Sequence, residues 1–381
     1  MRTWNISEDA PGRLVPYGRR SYYKPEPLPP SRELELSEEF YELLSGATFW
    51  LGRLSGISEM VDFPPMLYAS LVRKEAVESA EIEGADVDVN DLYRYETLKL
   101  DDEADPDTRK DIDEVRNYET AVRQGVEAID ADDGITIDLL ESLHETLLSG
   151  VRNETDVIGD FRRTPVHLGS FVPPAPPSVE GDVEALVSYI RSGGAYHDVI
   201  DTALVHYQFE TIHPFGDGNG RLGRILITLQ LYETGLLSAP NLYLSEYFNR
   251  NKETYVERMR EVSRNGAWEE WLTFFVKGVL RQAREAYDRS LELRDLQREY
   301  EERYGNSSRA DARLARRLFR NPYVVASEIA ALLDVTKPTA YRAINTLEDE
   351  GILEEVTGKE RNKEYRATEI FEILERPPST Y

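Results

Sequence analysis

The residues His213-Pro214-Phe215-Gly216-Asp217-Gly218-Asn219-Gly220-Arg221-Leu222-Gly223-Arg224 hold most of the groups in this chain that could do chemistry. Pro214 disfavours helical backbone at the residue before it, so an apolar helix ending at Ile212 would deliver His213 at its tip. Gly216, Gly218 and Gly220 permit turns that a Cβ resists, and let successive N–H groups point inward as a nest at the start of the next helix. A phosphate fits such a nest at the positive end of a helix. Arg221 and Arg224 can share one helix face and grip further phosphate oxygens. Asp217 adds a hard carboxylate suited to Mg²⁺ bridging a diphosphate. A neutral His213 imidazole beside that anion can take a proton from an incoming hydroxyl.

The elements that must position these groups are helices. Apolar residues recur at three-to-four spacing from Leu36 onward, through Phe40, Leu43, Leu44 and Leu51, and again over 69–82, 115–129, 137–148, 183–190, 200–212, 222–232, 255–262 and 268–280. Two stretches interrupt the period. Residues 1–35 hold six prolines, several tyrosines and no apolar period, which predicts an extended arm wrapped on the surface. Residues 160–177 alternate at Phe161, Val166, Leu168 and Val172 before four prolines, which predicts a short hairpin or extended flap.

Residues 281–304 are charged and helical in pattern, and read as a connector. Beyond them, 305–370 carries eleven basic and eleven acidic residues, while the remaining chain carries the whole net charge of -26. That contrast marks a second domain. Within it, 326–333 reads as a helix, Asp334-Val335 as a turn, and 336–347 as a second helix with Thr336 as N-cap and Pro338 in its first turn. Gly351 stops that helix, and strands follow over 352–356 and 361–366 around Gly358. Helix, turn, helix and hairpin is the order of a winged helix-turn-helix, so the fold class is mainly α.

Composition bounds the function. The acidic surface, with 9 lysines against 36 arginines, suits a protein that stays soluble at high ionic strength, where screening weakens self-repulsion. The absence of cysteine excludes disulfides and thiolate metal sites, and leaves five histidines as the nitrogen ligands, so zinc is not expected. There is no apolar run of about eighteen residues and no charged-then-apolar leader, which predicts neither a membrane span nor secretion, and places the chain in the cytoplasm.

Over 213–224 the chain resembles the Fic family, whose signature His-x-Phe-x-Asp/Glu-Gly-Asn-Gly-Arg-x-x-Arg is met at every fixed position. The resemblance spans about 35–280 and implies a helical core with a small β-hairpin flap, followed here by the winged helix. It implies transfer of AMP from Mg-ATP to a Tyr, Thr or Ser hydroxyl of a target protein, with release of pyrophosphate. Carried over by position, His213 is the base, Asp217 holds Mg²⁺, Gly218, Asn219 and Gly220 cradle the α- and β-phosphates, and Arg221 and Arg224 bind the outer ones. Gly159-Asp160-Phe161-Arg162 and Val166-His167-Leu168-Gly169 resemble the strand pair that lines the nucleotide and aligns the target by β-addition. Leu244-Ser245-Glu246-Tyr247 and the segment 251–255 resemble the border of the adenine, with Tyr255 the candidate contact.

Ser79-Ala80-Glu81-Ile82-Glu83-Gly84 resembles the family's inhibitory Ser/Thr-x-x-x-Glu-Gly/Asn element. Glu83 would sit at the negative end of a helix closed by Gly84, where a carboxylate benefits from a cationic partner. The resemblance makes Arg224 that partner, so that Ser79 and Glu83 belong to a self-inhibited resting state in which Arg224 cannot hold the γ-phosphate. The expected domains are an arm (1–35), an N-terminal helical region with the inhibitory helix (36–110), the catalytic core (111–280), the connector (281–304) and the winged helix (305–381).

Other activities fit the same residues. Removal of AMP would use the same site, with Glu83 positioning a water, and phosphoryl or phosphocholine transfer is known in divergent family members. A DNA-binding regulator would use Lys337, Thr339 and Arg342 on the recognition helix and Lys359, Arg361 and Lys363 on the wing. Winged helices also bind proteins. Self-modification and homodimerisation are compatible with the architecture.

Overall fold

The computed structural model describes residues 5–59, 65–98, 106–151, 157–305, 307–358 and 363–376. Strands β1 (Gly12–Tyr17) and β2 (Arg20–Pro25) open the chain as an antiparallel hairpin, with Tyr17 opposite Arg20 and Gly18 at φ +62° in the turn. The first residues are therefore more ordered than an extended arm. Their prolines fall where a two-stranded ribbon tolerates a missing donor, Pro16 on an edge and Pro25 at a strand end. Tyr22 and Tyr23 are buried, and the Tyr23 N–H donates to the Val172 carbonyl at 2.9 Å, which ties the hairpin to the flap region.

The body is helical, in the order α1 (Glu38–Ser58), α2 (Pro65–Glu83), α3 (Val89–Leu98), α4 (Pro106–Asp130), α5 (Ile137–Leu148), α6 (Pro176–Arg191), α7 (Asp198–Ile212), α8 (Asn219–Glu233), α9 (Ser245–Arg250), α10 (Lys252–Asn265) and α11 (Trp268–Tyr304). Helix α7 is buried on nearly all sides, as an apolar helix without a polar face must be. Two large apolar clusters meet on α7 and α8: one adds α1 and α9 to α11, the other α2 to α6. The chemistry predicted for 213–224 thus lies between the two central helices.

Helix α11 runs unbroken for 37 residues, so the expected connector is its C-terminal two thirds and not a separate segment. Its apolar stripe continues through Leu293, Leu296 and Tyr300, which enter the C-terminal core. That domain comprises α12 (Ala310–Arg317), β3 (Tyr323–Val325), α13 (Ala326–Leu332), α14 (Lys337–Asp349), β4 (Leu353–Glu355), β5 (Glu364–Ala367) and α15 (Thr368–Glu375), with an antiparallel sheet in the order β3-β5-β4. Helix, turn and helix occur as the spacing predicts, with Asp334 at φ +50° in the turn. Strand β3 and helix α15 were not legible in the sequence pattern, and Lys359 and Arg361 of the wing lie outside the described residues. No described helix is long and apolar enough to cross a membrane.

Candidate active site

His213 ends α7 in the left-handed region, at φ +50°, with its N–H donating to the Phe209 carbonyl at 2.9 Å. A residue with a Cβ pays about 1 kcal/mol for that conformation, so something must hold it. Arg162 does. Its Nε donates to the His213 carbonyl (2.7 Å), its Nη2 to the carbonyls of Pro174 (2.7 Å) and Ile212 (3.2 Å), and its own N–H to the Pro214 carbonyl (2.9 Å). A buried cation thereby caps the negative end of α7. Burial pushes the Arg162 pKa down to about 10, and still leaves it charged at neutral pH. Burial and then the charge of Arg162 push His213 down to about 4, so its imidazole is neutral at pH 7, and its Nδ1 is buried.

The loop after His213 is clamped from within. Asn219 Oδ1 accepts from the Phe215 N–H at 2.9 Å and its Nδ2 donates to the Phe215 carbonyl at 3.0 Å. Gly218, at φ +75°, is the N-cap of α8, and Asp217 Oδ1 accepts the Gly218 N–H at 2.6 Å. From α5, His144 stacks on Phe215 at 3.8 Å; its Nδ1 accepts the Gly159 N–H (2.9 Å), which leaves Nε2 to donate to the Asp217 carbonyl (3.0 Å). Burial lowers the His144 pKa to about 4, which preserves that neutral tautomer.

Arg221 and Arg224 take different partners. Arg221, 2% exposed, pairs with Glu114 of α4 at 2.8 Å and does not line the cavity. Arg224 lines the cavity, whereas the long Arg221 side chain reaches a buried carboxylate that sequence spacing could not reveal. Arg224 Nη2 donates to Glu83 Oε1 (2.8 Å) and to the Ser79 carbonyl (3.0 Å), and its Nε to Ser79 Oγ (2.7 Å). Glu83 is the last residue of α2, closed by Gly84 at φ +101°, with the Ala85 N–H on the Ala80 carbonyl at 3.1 Å. Burial works to raise the Glu83 pKa, but the charge and hydrogen bond of Arg224 outweigh it and hold the carboxyl below its usual value. A Cβ on Gly220 would collide with Glu83 Oε1, so glycine there lets the carboxylate reach the first turn of α8.

Glu83, Glu210, His213, Gly220 and Arg224 share a cavity of about 360 Å³ with the apolar Leu168, Phe171, Val256 and Met259 and the basic Lys252 and Arg260. Tyr255 also lines it; its ring stacks on Phe248 at 4.4 Å and its hydroxyl lies 2.6 Å from His206 Nε2. The flap is less regular than a full hairpin: the pairing between its described residues is the bridge of Leu168 with Phe171, N–H to carbonyl in both directions at 3.0 and 3.1 Å. Of its candidate nucleotide contacts, Leu168 lines the cavity. Val166, exposed His167, which meets Arg20 Nη1 at 2.7 Å, and Gly169 do not. Ser245 and Glu246 also lie outside the cavity lining. They brace α2, since Ser245 N–H and Oγ donate to Glu75 (2.8 and 2.5 Å) and Glu246 pairs with Lys74 (3.3 Å).

Residues 41–127 match the Fic/DOC family N-terminal region, 134–231 the Fic/DOC family itself, and 322–357 the IclR helix-turn-helix domain. The chain belongs to the Fic/DOC family. A probable protein adenylyltransferase of Aquifex aeolicus is 27% identical over 194 residues, 50% of this chain and 55% of that protein. The protein adenylyltransferase Fic of Aedes aegypti is 35% identical over 115 residues, 28% of this chain and 21% of that one. This Fic chain therefore spans about half, or less, of the curated relatives it matches. A solved Fic family protein from Desulfovibrio desulfuricans superposes with a TM-score of 0.57 at 19% identity, covering 88% of this chain and 97% of that one. A Fic-1 fragment from C. elegans gives 0.51 at 19%, covering 68% and 73%, so both share the fold.

Sequence reading passed over several residues that the Fic cavity uses. His144 sits at a helical core position and carries no motif. Glu114 supports Arg221 from another helix, and Glu210, one turn before His213, lines the cavity with a carboxyl that nothing in its spacing distinguishes from a surface charge. Arg162 lay within the flap resemblance, but its role as cap of α7 is visible only in three dimensions.

Proposed function

We propose that this Fic protein transfers AMP from ATP to a Tyr, Thr or Ser hydroxyl of a protein and is restrained by its own Glu83. The observation that carries the reading is His213 sharing one cavity with Arg224 and with Gly220 in the first turn of α8. Gly218, Asn219 and Gly220 cradle the inner phosphates, Arg224 takes the outer one, and Leu168 and Tyr255 border the base. Arg221 supports the loop through Glu114. The target hydroxyl gives its proton to His213 as its oxygen forms a bond to the α-phosphorus, and the bond from that phosphorus to pyrophosphate breaks.

Mg²⁺ fits the residues present in a limited way. Asp217 presents a hard carboxylate at the loop before α8, with its Oδ1 2.6 Å from the Gly218 nitrogen. Asp217 would hold it, and its charge would offset that gathering on the diphosphate.

The restraint is asymmetric. Arg224 is buried, whereas the Glu83 side chain is 41% exposed, so Arg224 needs a partner while Glu83 can leave for water. A γ-phosphate is a stronger partner for that guanidinium. The target protein, which includes this chain itself, is reached in the cytoplasm in this reading, and the winged helix supplies a DNA or protein contact.

The test is incorporation of label from α-³²P-ATP with Mg²⁺ into protein by the intact chain, Glu83→Gly, and Glu83→Gly with His213→Ala. Label strong in the first variant, weak in the intact chain and lost in the double variant is the expected result. Absence of label from all three overturns the transferase reading.

A further inference from the structure

Glu210 lies one turn before His213 on α7 and lines the same cavity. Gly223 of α8 makes room for it, since a Cβ there would collide with Glu210 Oε1. That oxygen is buried and has no hydrogen-bond partner. A buried acceptor left without a donor carries an unmet desolvation cost, so a ligand that supplies a donor is favoured. Burial raises the Glu210 carboxyl to about 7, against the pull of Arg224 and with the repulsion of Glu83. Phosphates are drawn to the nest and to Arg224 and repelled by an ionised Glu210. A neutral hydroxyl or amine is what the carboxylate can take, and Leu168, Phe171, Val256 and Met259 in the lining give a flat base apolar contacts.

We propose that Glu210 is a specificity residue that accepts a hydrogen bond from the nucleoside of the bound nucleotide, either a ribose hydroxyl or the exocyclic amine of the base. This rests on the adenylyl-transfer reading only in that a nucleotide enters the cavity. Calorimetry measures binding of ATP, 2′-deoxy-ATP, 3′-deoxy-ATP and purine riboside triphosphate, which lacks the amine, to Glu83→Gly with and without Glu210→Ala or Glu210→Gln. The parent should prefer ATP to one analogue by about tenfold or more, as a hydrogen bond to a charged group allows. Glu210→Ala should abolish that preference, and the analogue identifies the donor. Equal preferences in parent and variants overturn this inference while leaving nucleotide binding intact; no binding to the parent overturns the nucleotide reading as well.

An independent observation concerns the winged helix. It is bonded to α3, which follows the Glu83 helix directly. Arg94 of α3 donates to Glu364 of β5 at 2.7 Å, and buried Glu364 also accepts from the Tyr323 hydroxyl at 2.5 Å. Tyr93 of α3 packs edge-on against Phe371 of α15 with ring centroids 5.8 Å apart. The same Tyr93 reaches back to α2: its hydroxyl lies 3.0 Å from Ser70 Oγ, and Arg73 sits 4.5 Å over its ring while pairing with Glu96 of α3 at 2.9 Å. The last turns of that α2 carry Ser79 and Glu83 onto Arg224.

We infer that the winged helix holds α2 in place through α3, so that loosening the tail frees Glu83 from Arg224. Hydrogen exchange over 79–83, a readout that needs no transfer activity, is compared in the intact chain, Phe371→Ala, Phe371→Leu and Glu364→Gln, all checked for folding by circular dichroism. Protection should fall at least tenfold in Phe371→Ala and Glu364→Gln and stay near the parent in Phe371→Leu, with label from ATP rising in the same order. Unchanged protection in folded Phe371→Ala and Glu364→Gln overturns the coupling, whatever the label shows.

Discussion

Arg162 donates to the carbonyl of His213 at 2.7 Å, and so a residue of the flap sets the backbone of the candidate base. The two are 51 positions apart in the chain. The flap of this Fic domain is therefore part of the scaffold that presents His213, in addition to any part it takes in target alignment.

Removing Arg162 should uncouple them. Arg162→Ala strands the His213, Ile212 and Pro174 carbonyls, and should cost about 2–4 kcal/mol in thermal or urea unfolding, as hydrogen bonds from a buried charge are worth. In the Glu83→Gly background the labelling rate should drop more than tenfold. Wild-type melting in Arg162→Ala would show that the cap is dispensable.

The pH profile should be displaced to the acid side. With His213 at about 4 in the folded chain, its neutral form persists well below the ordinary histidine range. The acid limb of the Glu83→Gly rate with saturating ATP should therefore lie near pH 4–5, and not near 6.5. The sign for stability is the same: the unfolded histidine binds a proton that the folded one refuses, so stability falls as pH drops from about 6.5 towards 4. His213→Gln should reduce the slope of that part of the melting-versus-pH curve, to which His144 contributes with the same sign.

Glu210 should act in the opposite direction. Its folded pKa of about 7 lies above the 4.5 of a free glutamate, so its contribution is full below 4.5 and is lost as pH rises through 7. Glu210→Gln should melt close to the parent at pH 5 and above it at pH 8, by about 3 kcal/mol at most. An unchanged difference between the two pH values would contradict the raised carboxyl.

His144 ties Phe215, Gly159 and Asp217 together through one ring. His144→Ala loses the stack on Phe215 and the bonds to Gly159 and Asp217, and should destabilise the chain by about 2–4 kcal/mol. If Asp217 holds Mg²⁺, the metal concentration at half-maximal labelling should rise in Glu83→Gly with His144→Ala. A variant with lower stability and an unchanged metal requirement would confine His144 to packing.

The net charge of -26 makes a salt response expected. Raising KCl should raise the melting temperature by screening surface repulsion. The buried Arg221–Glu114 pair is shielded from that screening, so Glu114→Gln should cost a similar amount at low and high salt.

What the sequence determined by itself was local. Helical periods, the Pro and Gly positions around His213, the Gly84 stop after Glu83 and the helix-turn-helix order each depend on neighbours a few residues away, and all are present in the structure. The pairing of Glu83 with Arg224 was legible too, through resemblance to a known element. The tertiary structure alone decided where side chains of distant helices meet. Arg221 turned to Glu114, Arg162 capped α7, Glu210 was left with an unpartnered oxygen, and α3 met a strand some 270 residues further on. A long charged side chain can reach many partners from one position, and only packing of the apolar faces selects which of them lies within a hydrogen bond.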